Sequence, residues 1–254
     1  MKTWRLLDTG SRSAAENMTL DDVVLTARSR NAVPNTLRFL QFSPSCTLVG
    51  YHQAVEQEIR IPYCSEHGIE INRRLTGGGA VYHDQAGEIT YSLTLPESYP
   101  AMPRKVLDSY AILCRGLVLG FARLGLTAQF KPINDILVNG RKISGNAQTR
   151  RFGGILQHGT LLCDVNPTVM FSLLKVPDEK MRDKLIAGVA ERVTSIRREL
   201  GAVDKAAVIQ AMIAGFAEAL DITLTPGELS ASEKALAAQL KEERYANREW
   251  IYKR

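Results

Sequence analysis

The chain has 254 residues, a formal net charge of +5, 45% hydrophobic and 23% charged content. Those values describe an ordinary folded domain with a sizeable core, and they exclude a disordered chain. No arginine-rich tract interleaved with aromatics points to nucleic acid, and no apolar run approaches the roughly 18–20 residues that would make a membrane span.

Ser13-Ala14-Ala15-Glu16 reads as a capping box that opens a helix, with Leu20, Val23, Val24 and Ala27 on one face. Thr36 to Phe42 and Cys46 to Gly50 read as short strands joined by a Ser43-Pro44-Ser45 turn. Pro62 to Glu66 predicts a short helix stopped by Gly68, and Ile69 to Arg73 alternates as a half-buried strand does. A glycine cluster follows at Gly77-Gly78-Gly79, then a strand from Glu88 to Leu95. From Arg104 to Leu124, apolar residues recur every three or four positions, which predicts a helix. Several strand-like segments fill Thr127 to Val165, with a hairpin signal at Asn139-Gly140. From Asn166 the chain becomes helical and charged, with Ile209, Met212, Ile213, Phe216 and Leu220 on one face. Ser230-Ala231-Ser232-Glu233 caps a last helix running to about Arg244. Strands in the first two thirds, with helices before, between and after, predict an α+β domain.

Cys46, Cys64, Cys114 and Cys163 include no CxxC pair, so neither zinc nor a redox motif is indicated. Isolated cysteines behind an N-terminus without a signal-type apolar core predict a cytoplasmic setting.

Three segments carry candidate chemistry. In RRLTGGGAVYHD at 73–84, successive glycines permit close backbone approach and an anion-binding nest, with Arg73 and Arg74 at its mouth. The alternative is a glycine hairpin beside two surface arginines. In NDILVNGRKISGNAQ at 134–148, alternation sends Arg141 and Lys142 to opposite faces. An inward lysine needs a negative partner, either Asp135 or an anionic ligand. In QHGTLL at 157–162, His158 is a hydrogen-bonded structural residue or a site residue, and no other histidine gives it metal-ligand spacing.

Taken together and in this order, the three segments resemble the lipoate–protein ligase A family, which is related to biotin ligases and octanoyltransferases. The resemblance extends into LKVPDEKMRDK at 174–184, similar to archaeal-type ligases whose accessory domain is a separate polypeptide. It implies a biotin/lipoate protein ligase-like catalytic domain with mixed or antiparallel sheets flanked by helices, over 1–226. Residues 227–254 would form a helical tail, with exposed Tyr245 and Trp250 docking a small accessory subunit.

The resemblance also implies an ATP-dependent ligase that makes a lipoyl- or octanoyl-adenylate and passes the acyl group to a carrier lysine. Lys142 would be the catalytic cation between the acid's carboxylate and the α-phosphate. Arg74, Gly77, Gly78, Gly79, Ala80, Val81, Tyr82, Asn134 and Asp135 would join it around ATP, with Mg²⁺ near Asp135. Gly145, His158, Gly159 and Thr160 would meet the lipoyl group alongside Lys142. The acceptor would be a lipoyl carrier domain, such as a glycine-cleavage H protein or the E2 of a 2-oxoacid dehydrogenase. The rival of the same fold is an octanoyl or lipoyl transferase with a cysteine thioester. Gln129-Phe130-Lys131-Pro132-Ile133 and Ile155-Leu156-Gln157 hold no cysteine where transferase classes keep one, and this favours the ligase.

Overall fold

In the computed structural model, which describes residues 2–100, 102–175, 188 and 191–253, the chain builds one large sheet and one small one. The strands are β1 (Lys2–Arg12), β2 (Thr36–Phe42), β3 (Cys46–Val49), β4 (Glu70–Arg73), β5 (Val81–His83) and β6 (Glu88–Pro96), then β7 (Ala128–Lys131), β8 (Asp135–Val138), β9 (Arg141–Arg151), β10 (Gly154–Leu162) and β11 (Ile222–Pro226). The large sheet has the order β11-β1-β2-β6-β10-β9-β8-β7, and the small one β4-β3-β5. The two parallel pairings of the large sheet lie at one edge, where β1 pairs with both β2 and β11. Antiparallel pairing joins the rest, as hairpins for β7–β8, β8–β9 and β9–β10 and by longer connections for β2–β6 and β6–β10. This is the α+β architecture, sheets flanked by helices, that the element order predicts.

Every residue of β6 from Glu88 to Leu95 is buried, because helices cover both faces of the sheet there. On one face lie α4 (Val106–Arg123) and α7 (Lys205–Leu220), whose Leu113, Leu117, Phe121, Met212 and Phe216 close the main core over Leu93 and Leu95. On the other lies α1 (Ala14–Ser29), packed over β6 and β10. Short helices α2 (Val55–Glu58), α3 (Ile61–Glu66), α5 (Pro167–Ser172) and α6 (Ile196–Leu200) complete the surface around the small sheet and the strand ends. Both capping boxes form: Ser13 with Glu16 at α1, and Ser230 with Glu233 at α8 (Ala231–Leu240). The 174–184 run falls largely outside the described residues.

The C-terminal stretch departs from expectation. After α8 the chain makes one wide π-type turn (Lys241–Tyr245) and a final helix, α9 (Arg248–Tyr252). Tyr245 is buried, not exposed, and its hydroxyl donates to Asp22 Oδ2 at 3.0 Å. Trp250 packs against the Tyr245 ring at 4.9 Å and contributes to three apolar clusters. These two side chains are therefore used within the chain rather than offered to a docking subunit. Arg5 on β1 forks onto both oxygens of Glu233 at 2.7 Å, which ties α8 to the sheet edge. Among the described residues no helix is long and apolar enough to cross a membrane.

Candidate functional site

The β8–β9 hairpin turns at Asn139-Gly140, where both residues take positive φ, as the sequence signal requires. Its register places Leu137 opposite Lys142 and Asp135 opposite Gly145, with an irregularity between Ile136 and Leu137. That slip lets the Lys142 side chain run back along its strand until Nζ is 2.7 Å from Asp135 Oδ1. Both side chains stay about one third exposed. Gly145 makes room for this path: a β-carbon there would sit 2.6 Å from Lys142 Cε and 2.7 Å from Nζ. Arg141 turns the other way and pairs with Glu199 at 3.2 Å. The carboxylate partner foreseen for an inward lysine is thus present, yet the ammonium still faces a cavity.

The arginines are not at the mouth of the glycine loop. Arg73 is fully buried and gives all its donors to backbone carbonyls of Gly50, Tyr51, Gln53, Ile251 and Lys253. Arg74, 4% exposed, donates to the carbonyls of Leu48, Gly77 and Gly79 and to the Thr76 hydroxyl. It therefore clamps the glycine loop, and burial brings its guanidinium down to about 10. The loop also rests on the end of β3, where a β-carbon on Gly50 would collide with the Gly78 carbonyl at 2.0 Å.

His158 is held at both nitrogens: Nδ1 meets Asp21 Oδ2 at 2.8 Å and Nε2 meets Thr76 Oγ1 at 2.8 Å. Asp21 also accepts from Arg38 at 2.8 Å. Burial opposes ionisation of Asp21, but Arg38 and His158 together hold its carboxyl below the usual carboxylate range. Burial lowers His158 itself, partly offset by Asp21. Asp21 is the residue that sequence reasoning missed here, since an acidic side chain on a helix reads as solvated. A second buried polar chain runs from Ser109 through Gln148, Gln157 and Tyr91 to Asn146. Asn146 and Asn134 then bond reciprocally through side-chain amides and backbone carbonyls.

These parts enclose a cavity of about 580 Å³, within the range of small-molecule sites. Arg74, Gly77, Gly78, Gly79, Ala80, Val81 and Tyr82 form one wall. Asn134, Lys142 and Gly145 form another, and His158, Gly159 and Thr160 a third. Of the residues singled out in the three sequence segments, Arg73 and Arg141 turn elsewhere and Asp135 reaches the cavity only through Lys142, while the others converge on it. Met18, Phe42 and Leu48 supply apolar wall, with His83, Glu88 and Thr90 beside them. None of those six was singled out as a site residue, although His83 lies within the 73–84 segment. Among the described residues no three His, Cys, Asp or Glu side chains group to hold a metal, and Asp135 faces a lysine rather than a second carboxylate.

All four cysteines are free, buried and outside the cavity lining. Burial pushes Cys64 up to about 11, Cys114 and Cys163 up to about 12, and Cys46 well above its ordinary value.

Residues 13–217 match the family model described as the lipoyl protein ligase A/B catalytic domain. An octanoyltransferase LipM from Kyrpidia tusciae is 40% identical over 277 aligned positions, covering 100% of both chains. A LipM from Brevibacillus brevis is 35% identical, again covering 100% of both. Among solved structures, the bi-partite lipoate protein ligase of Thermoplasma acidophilum superposes with a TM-score of 0.90 at 29% identity, covering 99% of this chain and 97% of that one. The full-length relatives bearing the octanoyltransferase name overturn the expectation of an ATP-dependent, adenylate-forming ligase. ATP and Mg²⁺ were implied only through adenylation, and the octanoyltransferase relatives lend them no support. The absence of a cysteine in Gln129-Phe130-Lys131-Pro132-Ile133 and Ile155-Leu156-Gln157 had favoured the ligase, and that absence did not decide the branch. The chain belongs to the lipoyl protein ligase A/B catalytic domain family, and it is an enzyme of lipoate and octanoate attachment.

Proposed function

We propose that this chain transfers an octanoyl-type acyl group from an acyl-thioester donor to a lysine of a lipoyl carrier domain. The observation that carries the reading is the full-length similarity to octanoyltransferases LipM. The cavity supports it: apolar wall for an alkyl chain lies beside the ammonium of Lys142, the one lysine that lines it among the described residues.

A transferase receives its acyl group already activated, so nothing has to adenylate it. The carrier's own lysine amine attacks the thioester carbonyl, the C–S bond breaks, and an amide forms. Lys142 donates to the carbonyl oxygen as negative charge gathers there, which is where a cation is worth most. Asp135 and Gly145 position that ammonium. The Asp21–His158–Thr76 chain, with Arg74 on Thr76, fixes the walls against which the acyl chain packs. The carrier lysine is the nucleophile, since all four thiols lie outside the cavity lining. Residues 1–226 would carry this chemistry, with 227–254 as a strap behind the small sheet. Four free thiols suit a reducing, cytoplasmic setting.

The test is incubation with an octanoyl-thioester donor and an apo lipoyl domain, without ATP, read by intact mass. An octanoylated lipoyl domain is expected. Octanoylation that depends on ATP and free octanoate would refute the reading.

A further inference from the structure

Tyr51 follows β3, and its backbone N–H donates to the Thr76 carbonyl at 2.9 Å. That bond sets it against the glycine loop, which lines the cavity and keeps Gly78 and Gly79 exposed. Two cations stand on the half-buried Tyr51 ring: Arg151 Cζ is 4.0 Å from its centroid, and so is Lys253 Nζ. Lys253 also lies 4.5 Å from the centre of the Trp250 ring. The two charges are therefore no more than about 8 Å apart, and they repel each other. Among the described residues neither has a carboxylate within salt-bridge reach. Arg150, one position earlier, differs: it donates to the Pro103 and Arg104 carbonyls and reaches Glu97 at 4.0 Å. Contact with both cations holds the Tyr51 phenol below its ordinary value.

Arg151 ends β9, and the turn into β10 is Phe152-Gly153. Both turn residues take positive φ, +56° at Phe152 and +74° at Gly153. A two-residue turn of this kind favours Asn, Asp or Gly at its first position, and a bulky ring there is strained. Phe152 is nevertheless 66% exposed. A strained aromatic held out in water gains little from its own fold, and such outliers point to function.

We infer that Arg151, Lys253 and Tyr51, with Phe152 at the hairpin tip, form the docking surface for an acidic face of the lipoyl carrier domain. The inference rests on the carrier-modification reading. It holds whichever group first takes the acyl chain, because the carrier lysine has to enter the cavity in either case. A carrier whose lysine enters beside the glycine loop lays its surface against Tyr51. Carboxylates on that surface supply the counter-charge that the two cations lack within the chain, and Phe152 is the apolar anchor. A solvated basic rim is the alternative for the cations. Such a rim spreads like charges apart in water, whereas here two share one ring, and it gives no reason for a phenylalanine at the turn. Rim charges of this sort act on encounter and affinity rather than on bond making.

The test measures KM and kcat of the full chain for an apo lipoyl domain, with a small octanoyl-thioester donor at saturation, and binding of the same domain by calorimetry. Arg151→Glu and Lys253→Glu should each raise KM and Kd more than about tenfold while kcat stays within about threefold. Phe152→Asn, which suits the turn, should melt no lower than wild type and still raise KM. Wild-type binding should weaken steeply between about 50 and 300 mM salt, and both charge reversals should flatten that slope. Unchanged KM and Kd in the charge reversals, wild-type KM in Phe152→Asn, a fall in kcat alone, or salt-independent binding would each overturn the inference. If a reversal fails to fold, Arg151→Gln and Lys253→Gln decide by the same readouts. A wild-type chain that binds the domain but never octanoylates it would instead refute the function proposed above and leave the docking surface standing.

Discussion

Gly145→Ala isolates the placement of one ammonium from its presence. The added β-carbon would lie 2.6 Å from Lys142 Cε and 2.7 Å from Nζ, where carbon contacts settle near ~3.5–4.0 Å. The obstacle is the far end of a flexible side chain, so the lysine swings aside and the backbone stays. Swinging aside breaks the 2.7 Å pair with Asp135. With the two side chains 38% and 32% exposed, that pair contributes only about 0–1 kcal/mol to folding. A misplaced transition-state donor is another matter, costing on the order of 10²–10³ in rate, or about 3–4 kcal/mol of barrier. The expected pattern is near-normal melting with octanoyl transfer reduced about a hundredfold, followed by mass on an apo lipoyl domain. Wild-type transfer by this variant would show that the position of Nζ beside Asp135 is irrelevant to catalysis.

Lys142→Ala should lose transfer to at least the same degree while melting within a few degrees of wild type; activity within tenfold would remove the lysine from the mechanism. Asp21→Asn leaves Arg38 and His158 without their buried carboxylate and should cost about 3–5 kcal/mol in chemical denaturation. Asp21 is held below the ordinary carboxylate value, so the unfolded chain binds its proton first as pH falls. Its stabilisation is full above about pH 4 and drains away below that, as the folded value is approached. Acid titration of Asp21→Asn should lack that component, and identical acid slopes would contradict it. Native-state alkylation at pH 8 should label none of the four buried thiols and leave transfer intact, whereas loss of transfer on labelling would reveal a working cysteine.

The local signals were strong where one short stretch decides its own conformation. Capping boxes at Ser13 and Ser230, the α4 periodicity, and the Asn139-Gly140 turn all follow from side chains within four residues. The convergence of three glycine- and lysine-bearing segments on one cavity was legible through their resemblance to a family. What the sequence hid was long-range. β1 takes its parallel partner β11 from the far end of the chain, Lys2 against Ile222, and no local pattern announces such a pair. Asp21 looks like a solvated acid, yet it is buried because Arg38 and the distant His158 meet it. Arg73 and Arg74 resemble an open anion site, yet the folded backbone consumes their donors. The choice between ligase and transferase was not legible, since one ammonium serves either an adenylate or a thioester.

Arg73 links two regions that a linear map keeps apart. Of its guanidinium's six hydrogen bonds, three end on Ile251 and Lys253, and the other three on Gly50, Tyr51 and Gln53 just after β3. The final helix is consequently a buttress for the cavity rather than an appendage. Trimming the chain back past Ile251 would strand a buried guanidinium with half its acceptors, and the damage would surface some 175 positions upstream, in the loop anchored by the neighbouring Arg74.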